Sequence, residues 1–270
     1  MIPETQYYEP KGNIESQIIK CIWKLSDDHA DERTELILPK GTAEIIFNFS
    51  NHVIYQSSLN NIGITLPDSF INGINLKPFK LIKKGRQEFL GIQLNDIGLK
   101  LLFDIPANDF NNKVYESALI DRTLNSMASE LHSKTNFGDQ VQTILKWIRK
   151  RVSNLEGHKY QERLYTLQNA CQIKDVKVAD LSKKCFLSDR QMHRFCLEWF
   201  GMNPATYLKY QKYLCALKLV HKTQNTLTQV GTQAGYYDQS HFMTEFKSFA
   251  NISPKNYKQA IKGIPGHIFL

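Results

Sequence analysis

Two segments of the sequence place side chains that can bind base edges beside apolar residues at helical spacing. In the first, SDRQMHRFCLEWFG, Arg190, His193 and Arg194 follow the spacing i, i+3, i+4. Arginine can form a bidentate pair with guanine, and histidine can donate or accept a hydrogen bond at a base edge. The other face of this predicted helix is apolar and comprises Met192, Phe195, Cys196 and Trp199. We expect this helix to lie in a DNA major groove; the alternative is a solvated charged face on an ordinary surface helix.

The limits of this helix are marked by capping residues. Ser188 is a good N-cap, and the carboxylate of Asp189 suits the positive end of the helix dipole. Gly201 is expected to end the helix. Asn203 and Pro204 are expected to cap and begin the next one.

The second segment, TQVGTQAGYYDQSHFMTEFKSF, predicts another helix, turn and helix. Thr228 is the predicted cap of its first helix, Gly235 lies in the turn, and Asp238 is the predicted cap of its second helix. Phe242, Phe246 and Phe249 should point inward from this second helix. Glutamine can pair with adenine, serine and threonine with any base, and methionine can contact the thymine methyl group. The predicted DNA contacts of both segments are Ser188, Arg190, Gln191, His193, Arg194, Gln239, Ser240, Met243, Thr244 and Lys247.

A third helix between the two segments is expected to fix their separation. Apolar residues surround most of the predicted helix 204–221, so it should be largely buried and act as a rigid strut. The strut could hold the two helices in successive major-groove turns, about 34 Å apart on one duplex face. The helices predicted after residue 158 are approximately 159–172, 178–184, 189–200, 204–221, 228–234, 239–249 and 254–261.

Charge is distributed unevenly along the 270 residues. Residues 155–270 contain 16 Lys and Arg against 8 Asp and Glu, whereas residues 1–154 contain 18 of each. The whole net charge of +8 therefore lies in the C-terminal part, which favours a polyanionic partner.

No targeting signal or metal framework is visible in the sequence. The start MIPETQYYEP lacks the pattern of a secretory signal, and no apolar run is long enough to span a membrane, so we expect a cytoplasmic protein without membrane contact. The five cysteines show no paired spacing, so we expect no cofactor, zinc site or disulfide framework.

The N-terminal part predicts mostly strands. In residues 42–50 apolar and polar residues alternate, except at Ile46. This exception indicates that both faces of the predicted strand are partly buried. Other predicted strands are 18–25, 35–38, 52–57 and 88–94, followed by a short helix at 96–103. Two amphipathic helices then carry the stripes Ile120, Leu124, Met127, Leu131 and Val141, Ile144, Leu145, Ile148, Val152. These stripes predict a helical hairpin that either packs on the β-rich domain or forms a dimer surface. A polar joint from Ser153 to His158 follows the hairpin.

The region from about 160 to 262 resembles the DNA-binding domain of AraC/XylS-family transcription regulators. The specific pattern is Gly235, Tyr236, Gln239, Ser240, Phe242, Ser253, Pro254 and Tyr257. Departures from the family are Ser182 and Gly231 at usual alanines, Cys196 at a usual phenylalanine, and Asn251 at a glycine. Thr244 stands where relatives often carry arginine, so the first helix is expected to dominate base contacts. The N-terminal part is similar to an uncharacterised, cupin-like sensory domain that precedes AraC-type modules.

These observations predict an α+β multidomain protein. We expect a β-rich barrel or sandwich at 1–116, a helical connector or dimerisation hairpin at 117–154, and an all-α, homeodomain-like tandem helix-turn-helix domain at 155–270. The resemblance implies a sequence-specific transcription regulator that binds double-stranded DNA. It also implies a small-molecule effector or partner protein at the N-terminal domain, an RNA polymerase contact and a homodimer. The alternatives are a basic protein-interaction module and a DNA-associated enzyme. An enzyme is disfavoured by the lack of a nucleophile with a partner base.

Overall fold

The computed structural model describes residues 4–11, 14–28, 31–152, 166–167, 169, 176–222, 224–261 and 264–270. Residues 166, 167 and 169 are helical, and the other residues of the helix predicted at 159–172 lie outside the described residues. The predicted joint from Ser153 to His158 lies outside the described residues as well. The predicted division of the chain near residue 154 therefore stays a prediction.

The N-terminal part consists of two antiparallel sheets packed face to face, as the β-rich pattern predicted. The six-stranded sheet has the order β1-β2-β9-β4-β7-β10, and the five-stranded sheet has the order β11-β3-β8-β5-β6, where β11 is His267–Phe269. Strands β1 to β10 are Glu4–Tyr8, Ile19–Asp27, Arg33–Ile37, Glu44–Asn48, His52–Ser57, Gly63–Thr65, Ser69–Asn72, Phe79–Lys84, Gln87–Leu94 and Val114–Glu116.

The two faces of the six-stranded sheet lie in different cores. On β4, Ile46 points into the apolar layer between the sheets, where it joins Val53 and Phe70. Its neighbours Ile45 and Phe47 point to the opposite face and join the larger core formed with the helices. The interrupted alternation at Ile46 is thus explained, because the strand is buried on both faces.

Five helices accompany the sheets: α1 Ile14–Ile18, α2 Gly98–Phe103, α3 Ser117–Ile120, α4 Thr123–Ser133 and α5 Phe137–Val152. A 3-10 helix spans Ala107–Phe110. The predicted hairpin is formed by α4 and α5, but Ile120 belongs to the separate helix α3 because Asp121 takes an extended conformation. The whole predicted stripe of α5 is buried within this single chain, as is Leu124. The interpretation that packs the stripes on the β-rich part is therefore the one observed, and the α5 stripe is not a free dimer surface.

The C-terminal part is helical up to residue 260. Its helices are α6 Val178–Lys184, α7 Asp189–Phe200, α8 Pro204–Lys222, α9 Leu227–Gln233, α10 Gln239–Ala250 and α11 Pro254–Ala260. The predicted cap of α9 at Thr228 is wrong: Thr226 is the N-cap, and its hydroxyl accepts a hydrogen bond from the backbone N–H of Gln229. Thr226 forms a reciprocal capping box with Gln229, which fixes the helix start two residues earlier.

The helix α8 is the predicted strut, and tyrosines at every third position carry its packing. Phe200 of α7 stacks on Tyr207 with ring centroids 4.4 Å apart. Phe249 of α10 lies 5.2 Å from Tyr210 and 5.1 Å from Tyr213. Both helix-turn-helix units therefore pack on one rod, which at 19 residues is about 28 Å long.

The same helix docks on the sheets through Tyr210. The Tyr210 hydroxyl accepts a hydrogen bond from the backbone N–H of Gly41 at 3.0 Å and donates one to the backbone carbonyl of Asn75 at 2.8 Å. Tyr210 is fully buried, so these two backbone groups find their partner only when α8 is docked. Gly41 has a positive φ of 73°, and a Cβ there would lie 2.4 Å from Leu214 of α8, so a side chain is excluded by both conformation and contact.

The chain returns to the N-terminal part at its last strand, β11 His267–Phe269, which no sequence pattern predicted. It pairs antiparallel with β3, His267 opposite Ile37 and Phe269 opposite Glu35. The five-stranded sheet is therefore built from both ends of the sequence. We call residues 264–270 the C-terminal strap.

A buried charge cluster holds the strap. The His267 Nδ1 lies 2.5 Å from Glu35 Oε1, and its Nε2 lies 3.1 Å from Lys40 Nζ. Since a carboxylate only accepts and an ammonium only donates, His267 is neutral with its proton on Nδ1. Burial, with the nearby charge of Lys40, lowers the pKa of His267. Burial alone would raise the pKa of Glu35, but the hydrogen bond from His267 and the charge of Lys83 outweigh it and hold that pKa well below its ordinary value.

We expect Tyr210→Phe to lower the free energy of unfolding by about 1–3 kcal/mol, because it leaves two buried backbone groups unsatisfied. Tyr213→Phe is the matched control, since the Tyr213 hydroxyl is buried on the same helix without a hydrogen-bond partner in the described structure. That variant should be neutral or slightly stabilising. Urea unfolding of both variants measures the difference, and equal effects would show that the Tyr210 hydrogen bonds do not stabilise the docked fold.

We also expect stability to fall as the pH drops below the ordinary histidine pKa of 6.5. The pKa of His267 is lower in the folded than in the unfolded state, so the unfolded state takes up the proton more readily. The stabilisation that neutral His267 provides is complete above pH 6.5. It decreases on acidification, and the total loss is on the order of 1 kcal/mol for each unit by which the pKa of His267 is lower in the folded than in the unfolded state. Urea midpoints between about pH 8 and pH 5 measure this slope. His267→Gln should flatten it and the exposed His52→Gln should not; parallel profiles for all three proteins would contradict the assignment.

Candidate nucleic-acid interface

The helix α7 presents its predicted contacts to solvent and buries its opposite face. The Ser188 hydroxyl accepts from the backbone N–H of Gln191, and the Gln191 side chain accepts from the backbone N–H of Ser188 at 2.9 Å. This capping box leaves the Gln191 amide NH₂ able to donate to DNA. The residues Arg190, Gln191, His193 and Arg194 are exposed, whereas Met192, Phe195, Cys196 and Trp199 are buried.

The opposite end of α7 is attached to the N-terminal part. Glu198 forms an ion pair with Lys100 of α2 at 3.0 Å, and the backbone carbonyl of Gly201 accepts a hydrogen bond from Asn111. Gly201 ends the helix with a φ of 73°, as its glycine predicted. The docked end and the exposed face use different residues, so docking leaves the polar face of α7 accessible.

The helix α10 is built in the same way, with a more neutral exposed face. Asp238 is the N-cap, as predicted, and accepts from the backbone N–H of His241 at 2.7 Å. The three predicted phenylalanines are buried. Of the predicted contacts on this helix, Gln239, Ser240, Thr244 and Lys247 are exposed, and Met243 is half-buried.

One contact limits what Gln239 can present. Its side-chain oxygen accepts a hydrogen bond from the Thr228 hydroxyl at 3.2 Å. The bond leaves the Gln239 NH₂ group free to donate.

The turn before α10 is braced by Lys212 of α8, whose ammonium donates to the carbonyl of Gly235 at 2.8 Å. The strut thus fixes the angle at which α10 leaves its turn.

Two aromatic residues in the turns were not among the predicted contacts. Phe186, between α6 and α7, is 93% exposed, and Tyr237, between α9 and α10, is 94% exposed. Phe186 also has a φ of 53°, which is unusual for a bulky residue. A large apolar side chain inside a predicted turn is the sequence signal for both. They lie beside the N-terminal ends of the two candidate DNA-binding helices.

Within the described ranges, no group of three histidine, cysteine or acidic residues could hold a metal ion. Among the helices the structure describes, none has both the length and the apolar composition needed to cross a bilayer.

Two family descriptions match separate parts of the chain. Residues 181–260 match a helix-turn-helix domain, and residues 6–116 match a domain of unknown function, DUF6597. The first match covers most of the two helix-turn-helix units, and the second covers the strands of both sheets except β11 and the start of β1.

Curated relatives are bacterial transcription regulators. The transcriptional activator RhaS of Mannheimia succiniciproducens is 24% identical over 77% of this chain and 69% of its own length. A RhaS from Salmonella arizonae is 30% identical, but the match covers only 29% of this chain and 28% of the relative. Among solved structures, ToxT from Vibrio cholerae O395 is 14% identical, with a TM-score of 0.50 and coverage of 96% of this chain and 99% of ToxT. At that identity the likeness shows a shared two-domain fold.

We expect Ser188→Ala to lower the free energy of unfolding by about 1 kcal/mol, because the first turn of α7 loses its side-chain acceptor. Ser188→Asp retains a capping oxygen, so its stability should remain close to that of the unchanged protein. The added carboxylate should nevertheless weaken DNA binding by repelling phosphates. Thermal unfolding and DNA titration separate these effects. If Ser188→Asp binds DNA as well as the unchanged protein, the start of α7 does not approach DNA.

Proposed function

We propose that this chain is a DNA-binding transcription regulator of the AraC/XylS type, in which α7 and α10 enter two successive major-groove segments of one duplex. The observation that carries the proposal is the shared packing of Phe200 and Phe249 on the tyrosines of α8. The strut holds both units at a fixed separation. Each helix leaves its polar face exposed, and the C-terminal part carries the whole positive excess of the chain.

The two helices contribute unequally in this proposal. On α7, Arg190 and Arg194 offer bidentate pairs to guanine, and His193 offers a further contact to a base edge. On α10, Gln239 can donate to adenine, while Thr244 stands in place of the arginine common in relatives. We therefore assign most of the base discrimination to α7 and a larger share of phosphate contact to α10, through Lys247.

The sheets would regulate this binding in the cell's cytoplasm. A ligand or partner can act only if it has different affinity for two arrangements of the protein. Docking through Tyr210 supplies one such arrangement. A ToxT structure of similar fold is described as bound to an unsaturated fatty acid, which supports a small-molecule effector here. A contact with RNA polymerase and a homodimer formed through a surface other than the α5 stripe are further parts of the proposal.

A catalytic role for the N-terminal part is not proposed. Burial raises the pKa of Cys21 to about 11, with a further contribution from Glu44. A thiol with that pKa is almost entirely protonated at neutral pH and is a poor nucleophile. Cys21 lies on β2, at the edge of the apolar core, and a packing role accounts for it.

Selection of bound duplexes from a random pool would first give the specific site. Arg194→Ala should then cost about 1–3 kcal/mol at that site and relax preference at one or two base pairs. The control is Lys146→Ala, which removes an exposed positive charge from α5. Equal losses of affinity for specific and random DNA would show that Arg194 contacts phosphates and not bases. Binding that depends on salt but not on the DNA sequence would favour the alternative function, a basic module that binds an acidic protein partner.

A further inference from the structure

Two loops of the N-terminal part lie side by side and are joined by Asn112. The first loop, residues 73–78, connects β7 to β8, and the second, residues 111–113, precedes β10. The side-chain oxygen of Asn112 accepts hydrogen bonds from the backbone N–H groups of Leu76 at 2.7 Å and Lys77 at 3.1 Å. We call this pair of loops the clamp.

The backbone of the clamp is also held together directly. Asn112 has a φ of 53°, a left-handed conformation that asparagine tolerates better than most residues, and its N–H donates to the carbonyl of Ile74 at 3.0 Å. The N–H of Gly73 donates to the carbonyl of Lys113 at 3.0 Å. A Cβ at Gly73 would lie 1.9 Å from the carbonyl oxygen of Phe110, so the two loops approach each other as closely as backbones can. They therefore form one unit.

The clamp contacts the C-terminal ends of both candidate DNA-binding helices. The side-chain amide of Asn111 donates a hydrogen bond to the carbonyl of Gly201, the residue that ends α7. The ammonium of Lys77 donates to the carbonyl of Ser248, in the last turn of α10. Carbonyl groups at a helix C-terminus have no partner within the helix, so these donors satisfy them. The positive charge of Lys77 also suits the negative end of the helix dipole.

These contacts connect α7 and α10 by a second route besides the strut. On the strut, Phe200 of α7 packs on Tyr207, and Phe249 of α10 packs on Tyr210. Through the strut alone, either helix-turn-helix unit could tilt without disturbing a contact of the other. The clamp holds both helices at once, and its Asn75 carbonyl accepts from the Tyr210 hydroxyl at 2.8 Å. Any change in the angle between α7 and α10 therefore has to break a contact with the clamp.

We propose that the clamp fixes the angle between α7 and α10, with Asn112 as its positioning residue, and so aligns both helices for one duplex. A protein whose contact surfaces are already aligned loses less conformational freedom when it binds. The gain applies only to a duplex that carries both segments, because a single segment engages only one helix. This effect on DNA rests on the proposed function, whereas the clamp itself can be tested without DNA.

The first test measures the distance between the two helix-turn-helix units in the full chain without DNA. Nitroxide labels are attached at two exposed positions, through Lys183→Cys on α6 and Lys255→Cys on α11. Cys171→Ser and Cys215→Ser prevent labelling elsewhere, since the other three cysteines are buried. Electron–electron double resonance then gives the distribution of distances. We expect a narrow distribution in this labelled protein and a broader one when Asn112→Gly is added, because glycine keeps the left-handed backbone but lacks the acceptor oxygen.

Three further variants make the comparison specific. Asn61→Gly is the matched control, because Asn61 also has a left-handed φ, of 56°, but lies between β5 and β6. Asn112→Asp retains an acceptor oxygen, so it should keep the narrow distribution. Lys77→Met removes only the contact with α10 and should broaden the distribution as Asn112→Gly does. A narrow distribution in both Asn112→Gly and Lys77→Met would overturn the clamp.

The second test is titration with the selected duplex and with a duplex in which one of its two segments is randomised. We expect Asn112→Gly to weaken binding to the complete site by about tenfold and to leave binding to the single segment unchanged. Circular dichroism checks that the variant is folded. Equal weakening on both duplexes would overturn the alignment of the helices for DNA. If selection yields no specific duplex, the proposed function is wrong, and the distance measurement alone decides for or against the clamp.

Discussion

Burial of one helix is the constraint on which the rest of this structure depends. The strut α8 depends on its neighbours for stability, because Tyr207, Tyr210 and Tyr213 are all fully buried by them. Tyr207 packs on the first helix-turn-helix unit, Tyr213 packs on the second, and Tyr210 contacts both the second unit and the sheets. Removing any neighbour would expose aromatic surface and buried polar groups together. The separation of the two helix-turn-helix units and the docking of the sheets are consequently set by the same set of side chains.

The contacts that join the two parts of the chain are individually modest. They include two hydrogen bonds at Tyr210, the partly exposed ion pair of Lys100 with Glu198, and the short strand of the strap. Contacts of this kind contribute a few kcal/mol in total once competing water interactions are counted. A ligand can supply a differential affinity of the same size. The junction is therefore suited to control by a small molecule, whereas the aromatic packing inside each helix-turn-helix unit is not.

Local patterns predicted most of the helical part. Ser188, Gly201 and Asp238 mark helix ends through bonds to residues within four positions, so the sequence alone contains the interaction. The error at Thr228 has a local cause too, since two threonines two residues apart compete for one cap. The fold class and the exposed polar face of α7 could be predicted for the same reason. The contacts that stay predictions are those made with DNA itself.

Long-range contacts could not be predicted in this way. The strap is three strand residues whose partner lies more than 200 positions earlier, and neither segment alternates long enough to show a pattern. A cavity lined by residues of β2, α8 and the strap likewise becomes visible only when the packing of these elements is known. The hairpin stripes indicated burial, but only the packed structure decides what buries them.

The pairing of β11 with β3 has a consequence for how the protein is made. His267 and Glu35 are 232 positions apart, so the outer edge of β3 has no strand beside it until residues 267–269 have been synthesised. At about 5–20 residues per second this interval is roughly ten to fifty seconds. An open strand edge is a template for aggregation, and charged residues on it reduce that tendency. Arg33 and Glu35 place two charges on this edge of β3, and in the completed fold Glu35 pairs with His267.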